Sequence, residues 1–307
     1  MNRPSFPARV PSGMPQTGAK TDTLANKTSA RIAPTFKPTL ATSTINKVAS
    51  STHSIRAKPL NSVKNMPLAA VVNLAAVVGA GIGMDCTAVR ARMVQKLAAG
   101  GVQDPAVLAA MNAIERHRFV DSALAGQAYE DTSLPIGLSQ TISKPNVVAR
   151  MIELLRQGCA LDYSVDKQGK MGRILEIGSG CGYQAAILAR LSHEVYSIER
   201  LRGLYEKALV NVRHLSAPGL HLLLGDGMQG FAKGAPYAGI IAAAGGEAIP
   251  QAWIDQLAVG GRIVAPVATH LGNGAAQSLM VIDKTPQGLR QTVLESVLFV
   301  PLKSGVA

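Results

Sequence analysis

Along residues 87–156 apolar side chains recur at helical spacing. Residues 87–99 put Val89, Met93, Val94 and Leu97 on one face, and Gly100-Gly101 ends the run. Asp104-Pro105 reads as an N-cap followed by proline at the first helical position, opening a helix to about Ile114. Residues 130–141 look like a loop. Residues 143–156 then carry Val148, Met151, Ile152 and Leu155 at helical spacing. From Arg173 the rhythm becomes short apolar runs separated by helical patterns. Residues 173–177, 194–198, 220–224, 239–243 and 262–266 predict five strands, with helices over 183–191, 202–215 and 251–257. Residues 278–282 and 291–299 predict two closing strands, joined as a hairpin across 284–288. Strands alternating with helices predict an α/β fold with a doubly wound, mostly parallel sheet and a helical N-terminal subregion. In such sheets the ligand sits beyond the carboxyl ends of the strands.

Charge divides the chain in two. The 307 residues hold 31 Lys+Arg against 19 Asp+Glu, a net charge of +12. Residues 1–65 hold ten of those bases and one acid, Asp22, so +9 belongs to them and +3 to the rest. They are rich in Ser, Thr and Pro, a composition that cannot bury enough apolar surface to offset chain entropy, so this tail is expected to be disordered. Few aromatics interleave with its charges to stack bases, which argues against nucleic acid as a partner. Residues 65–84 are uncharged but Ala/Gly/Val-rich, with Asn65, Pro67 and Asn73 among them, and read as a linker rather than a membrane span. The basic, acid-poor lead also has the look of a transit peptide. The expected division is therefore tail and linker over 1–85 and one folded domain over 86–307. Cys86, Cys159 and Cys181 are too few and scattered for a disulfide framework or a zinc site, so a reducing, cytoplasmic location is expected. No pair among the six histidines has metal-ligand spacing, and no metal is expected.

The most informative stretch is Leu175-Glu176-Ile177-Gly178-Ser179-Gly180-Cys181-Gly182-Tyr183, which leaves a strand and enters a helix. A dinucleotide site wants Gly-x-Gly-x-x-Gly, with pyrophosphate at the helix N-terminus. Counting from Gly178, its third glycine would be residue 183, which is Tyr183. Gly-x-Gly-x-Gly suits a cofactor without pyrophosphate, of which S-adenosylmethionine is one. Glu199 ends the next strand, near the spacing at which an acid meets ribose hydroxyls. Asp226, in Gly225-Asp226-Gly227, reads either as a turn residue or as a contact near the adenine amino group.

Further pieces are Arg118-Phe119-Val120-Asp121, Leu134-Pro135-Ile136-Gly137, Gln140-Thr141-Ile142-Ser143, Val148-Ala149-Arg150-Met151 and Phe299-Val300-Pro301-Leu302. With the glycine loop, in this order and spacing, they make the chain from about Thr87 onward resemble the protein-L-isoaspartate O-methyltransferases, which have a Rossmann-like class I methyltransferase fold. The family usually reads Gly-Gln-Gly-Gln where this chain has Gly137-Leu138-Ser139-Gln140. It usually shows a Thr-Ala-Ala/Gly run and then proline where this chain has Ala242-Ala243-Ala244-Gly245-Gly246, and often Asp where this chain has Ala238.

The resemblance implies S-adenosylmethionine held by Glu176, Gly178, Ser179, Gly180, Gly182, Glu199, Asp226 and Gly227. It implies Ser143 as the active-site serine that orients the acceptor carboxylate, and Gln140 and Thr141 on the substrate backbone. The implied substrates are isoaspartyl-containing proteins and peptides, methylated on the free α-carboxyl by a monomeric enzyme. The ester recloses to a succinimide whose hydrolysis restores some aspartate, which is protein repair. A carboxylate acceptor is already ionised at neutral pH, so the lack of a catalytic histidine motif fits. By residue type alone Ser143 also reads as the N-cap of the helix opening at Pro145. Three alternatives stay open: a nicotinamide-dependent oxidoreductase, a different carboxyl or small-molecule methyltransferase, and an inactive scaffold.

Overall fold

A computed structural model describes residues 86–159, 169–269 and 276–307. The expectations for the basic tail and the uncharged linker lie outside the described residues.

Helices α1 (Cys86–Ala99), α2 (Pro105–Ala113) and α3 (Pro145–Cys159) form the helical subregion. Asp104 caps α2, its side chain accepting from Ala106 N and Val107 N. The apolar face foreseen on α3 is buried, with Val148, Met151, Ile152 and Leu155 all at 2% exposure or less. Residues 130–141 are not a plain loop. They contain most of a small antiparallel hairpin, β1 (Leu134–Gly137) and β2 (Gln140–Ile142). Its two connecting residues, Leu138 and Ser139, have φ of +51° and +57°. Two successive left-handed residues make the turn geometry that matches strand twist. Neither is a glycine or asparagine, so the sequence carries no hairpin signal there.

The main sheet comprises β3 (Met171–Ile177), β4 (Ser192–Glu199), β5 (Leu220–Leu224), β6 (Tyr237–Ala242), β7 (Leu257–Thr269), β8 (Ala276–Thr285) and β9 (Gly288–Val297). Their order is β5-β4-β3-β6-β7-β8-β9. The first five are parallel; β8 and β9 add an antiparallel edge. Helices α4 (Tyr183–Leu191) and α5 (Arg202–Val212) connect β3 to β4 and β4 to β5, and α6 (Gln251–Gln256) precedes β7. The chain winds outward from β3 to β5 and returns to place β6 on the other side of β3, the reversal that opens a crevice at the carboxyl ends. Register keeps those ends level: Ile177 pairs with Ile198 on one side and with Ala242 on the other. Among the described residues no helix is long and apolar enough to cross a membrane, and no cluster of potential metal ligands occurs.

α3 lies on β6 and β7, where Arg262 of β7 enters the core at 8% exposure. Its guanidinium donates to both carboxylate oxygens of Asp283 on β8, and Nη1 donates to Leu154 O at 2.8 Å. Gly158 of α3 lies against it, and a Cβ there would overlap Arg262 Nε and Cδ. The arginine is held at both ends and cannot yield. Gly158→Ala, which helix propensity alone would favour, should therefore destabilise the fold by about 1–3 kcal/mol. Chemical denaturation compared with wild type checks this; a rise in midpoint would mean the arginine moves freely.

Candidate active site

The turn after β3 is built on β4. Gly178 N and Ser179 N both donate to Ile198 O, at 2.8 and 3.1 Å. Gly180 follows at φ +56°, and a Cβ there would come within 3.1 Å of Ile136 Cδ1. Glu199, 5% exposed, accepts Gly180 N on Oε2 and Leu201 N on Oε1, each at 2.9 Å. Each oxygen keeps a second lone pair for another donor. Gly182 starts α4 at φ +88°, and a Cβ there would press Val212 Cγ1 at 3.1 Å and Ala208 Cβ at 3.3 Å. Its bareness lets α5 lie close.

These groups open on a cavity of about 400 Å³ at the carboxyl ends. Gly178, Ser179, Gly180, Glu199 and Gly227 line one side, and Gln140, Thr141 and Ser143 line it as well. Glu176, Gly182 and Asp226 do not line it. Asp226 accepts Met228 N at 2.9 Å and Gly305 N at 2.8 Å, so its carboxylate ties down a turn and the C-terminal segment. That segment was not foreseen as a wall. Val300, Pro301, Leu302 and Lys303 line the cavity. They are fastened by Gly245 N to Val300 O at 2.9 Å and Leu302 N to Gly245 O at 2.8 Å. Farther on, Arg200 Nε donates to Gly305 O at 3.1 Å and Ala307 N to Arg200 O at 2.8 Å. Leu138 and Arg200 also reach the cavity.

Glu176 is fully buried behind the glycine loop. Its Oε2 accepts the Ser197 hydroxyl, which is 2.6 Å from that of Ser179, so a polar chain runs from the cavity wall into the core. Among the described residues its Oε1 has no hydrogen-bond partner. Burial pushes this carboxyl up to about 8; the Ser197 hydroxyl opposes the rise, and the Glu199 charge adds to it.

Ser143 is half-buried, and its hydroxyl makes no hydrogen bond within the described residues. It does not cap α3. Lys144 O accepts the first helical bond, from Val148 N, and the amide of Asn146 is taken by Asp131 Oδ1 at 2.8 Å. Residue type alone could not reveal this, since the cap comes from fifteen positions upstream.

A family model described as protein-L-isoaspartate(D-aspartate) O-methyltransferase matches residues 88–307. A protein-L-isoaspartate O-methyltransferase of Methylibium petroleiphilum is 59% identical over 227 residues, covering 74% of this chain and 81% of that one. A solved protein-L-isoaspartate O-methyltransferase aligns with TM-score 0.61 and 27% identity, covering 71% of this chain and 67% of that one. A candidate enzyme of the same designation from Plasmodium falciparum, solved with S-adenosyl-L-homocysteine, aligns with TM-score 0.59 and 22% identity. It covers 70% of this chain and 98% of that one, and shares the fold.

The buried carboxyl has a consequence for stability. Between about pH 4.5 and pH 8 the folded state keeps a proton on Glu176 that the unfolded chain has released, so raising pH through that window favours unfolding. Glu176→Gln, permanently neutral, should lose that part of the slope. Melting temperatures taken from about pH 5 to pH 8 should fall more steeply for wild type than for the variant. Parallel curves would mean that Glu176 ionises normally.

Proposed function

This chain belongs to the protein-L-isoaspartate(D-aspartate) O-methyltransferase family, and on that premise we propose that its cavity binds S-adenosylmethionine over the glycine loop and takes the α-carboxylate of an isoaspartyl residue beside Ser143. The observation that carries the reading is that Gly180 and Glu199 share one cavity with Ser143, whose hydroxyl makes no hydrogen bond within the described residues. The walls suit the cofactor: Gly180 presents bare backbone, and Glu199 has lone pairs left for ribose hydroxyls after bracing two amides. Asp226, which does not line the cavity and which braces Met228 and Gly305, fits the turn reading better than an adenine contact.

When bound, the cofactor supplies a sulfonium methyl, which passes to a carboxylate oxygen to give an ester and a neutral thioether. The acceptor arrives ionised, so the chain need not remove a proton. Its residues have to position and desolvate. Ser143 donates its hydroxyl to the acceptor carboxylate and fixes the line of attack, and Gln140 and Thr141 hold the peptide backbone. The C-terminal segment and the hairpin keep water from the reacting atoms. Isoaspartate carries the chain through its side chain and leaves the α-carboxylate one bond from Cα. An ordinary aspartate held by the same backbone contacts cannot present its carboxylate at that place. The substrates are therefore isoaspartyl proteins and peptides, and the enzyme works as a monomer with no metal.

Two measurements test this. An isoaspartyl peptide should accept labelled methyl and the matching aspartyl peptide should not. Ser143→Ala should lower kcat at least tenfold, since each ~1.4 kcal/mol lost from the transition state is tenfold in rate. Its melting temperature should stay near wild type because Asp131 serves the helix start. Methylation of neither peptide, or full turnover by Ser143→Ala, would overturn the assignment. Separately, Glu199→Ala should weaken S-adenosylhomocysteine binding by about 1.5–3 kcal/mol in calorimetry, the worth of hydrogen bonds to a charged group. Unchanged affinity would remove Glu199 from the cofactor site.

A further inference from the structure

One buried cation lies outside the cavity, behind the residues given roles above. Arg116, in the short 3-10 turn Arg116–Phe119, is fully buried among backbone carbonyls. Nε donates to Ala128 O at 2.7 Å, and Nη2 donates to Ser143 O at 2.8 Å and to Thr132 O at 3.4 Å. The guanidinium lies over Tyr183, with Cζ 4.9 Å from the ring centroid. Nη1 is buried and has no hydrogen-bond partner among the described residues.

The four contacts lie on separate parts of the site. Ala128 and Thr132 lead into β1, Ser143 leaves β2, and Tyr183 is the first residue of α4, directly after the glycine loop. Tyr183 is itself held, edge-on to Phe119 at 5.4 Å between centroids and with its hydroxyl on Met111 Sδ at 3.8 Å. The side chain that spoils a dinucleotide pattern thus forms the platform under the arginine. A lysine could supply the charge but not a planar fork that bonds in two directions and stacks at once. Desolvation lowers the pKa of Arg116, with Tyr183, Cys181 and Asp131 opposing; an arginine starts so high that it stays charged. Burying that charge is costly, and many neutral residues could fill the space, so the specific geometry calls for a role beyond packing.

We propose that Arg116 is a positioning residue for methyl transfer: by gripping the Ser143 carbonyl while resting on Tyr183, it fixes the acceptor-orienting serine relative to the glycine loop. It touches neither substrate nor cofactor and acts through Ser143, so the inference rests on the role given to Ser143 above. A displacement of about 1 Å at a reacting centre costs on the order of a hundredfold in rate, and the carbonyl bond is what prevents it.

The test is a double-mutant cycle in the full chain. Arg116→Lys should lower kcat for an isoaspartyl peptide by about tenfold to a hundredfold, with S-adenosylhomocysteine affinity within about threefold of wild type. Adding Arg116→Lys to Ser143→Ala should cost far less than it costs alone, because the serine it positions is gone. A structural role would instead multiply the two losses and lower affinity with turnover. Undiminished kcat in Arg116→Lys, or multiplying losses, overturns the proposal. If Ser143→Ala keeps full turnover, the serine assignment fails first and this inference with it. If only Arg116→Lys keeps turnover, this inference alone fails. Should Arg116→Lys not fold, wild-type protein with nitrogen-labelled arginine decides. In the presence of S-adenosylhomocysteine the Arg116 Nε–H resonance should shift with the isoaspartyl peptide and stay put with the aspartyl peptide; no shift with either overturns the proposal.

Discussion

Glu199 accepts one amide from the glycine loop and one from the turn that follows its own strand, so the ends of β3 and β4 are fixed to each other through a single carboxylate. Ile198 O adds two more bonds to the loop, from Gly178 N and Ser179 N. The loop is therefore shaped by the strand beside it as much as by its own glycines. Charge-assisted bonds are stronger than neutral ones, and here they hold backbone in left-handed geometry with little freedom to relax. The same carboxylate faces the cavity. In the proposed assignment, recognition of the cofactor is built from a group that the fold already needs.

The proposed acceptor side is organised in a different way. Among the described residues the Ser143 hydroxyl makes no hydrogen bond, and neighbours perform the tasks a serine at that place would ordinarily do. Asp131 serves the helix start, and Arg116 takes the serine carbonyl. The ionisable groups Arg116 and Glu176 are kept behind the walls rather than in them. That arrangement suits a reaction whose acceptor arrives already ionised and whose demand on the protein is alignment.

Much of this could be read from the sequence, and the failures have local causes. The parallel strands were legible because strands covered on both faces read as unbroken apolar runs, and Gly178 and Gly225 mark the ends of β3 and β5. β7 extends well beyond the expected 262–266, running from Leu257 through Gly260-Gly261 to Thr269. The β1–β2 hairpin was missed because β2 has three residues and its turn uses leucine and serine where asparagine and glycine would announce it. The glycine loop and Glu199 were found by spacing, which fixes backbone course. Glu176 and Gly182 sit in the same motif, yet one is core and the other is helix packing. Motif membership could not separate lining from support. Arg116 gave no signal because its partners lie 12 to 67 positions away, at Ala128, Thr132, Ser143 and Tyr183.

The C-terminal segment that lines the cavity is bonded to Arg200 across 105 positions of sequence. A ribosome delivers the glycine loop, β4 and the serine-bearing hairpin long before residues 300–307 emerge. During that interval the parallel half of the sheet has its strands while the pocket lacks a wall. Long-range closures of this kind come late because chain entropy must be overcome first. The nascent chain thus holds the strands of its parallel sheet before it holds residues 300–303, and the cavity takes its shape only after they are in place.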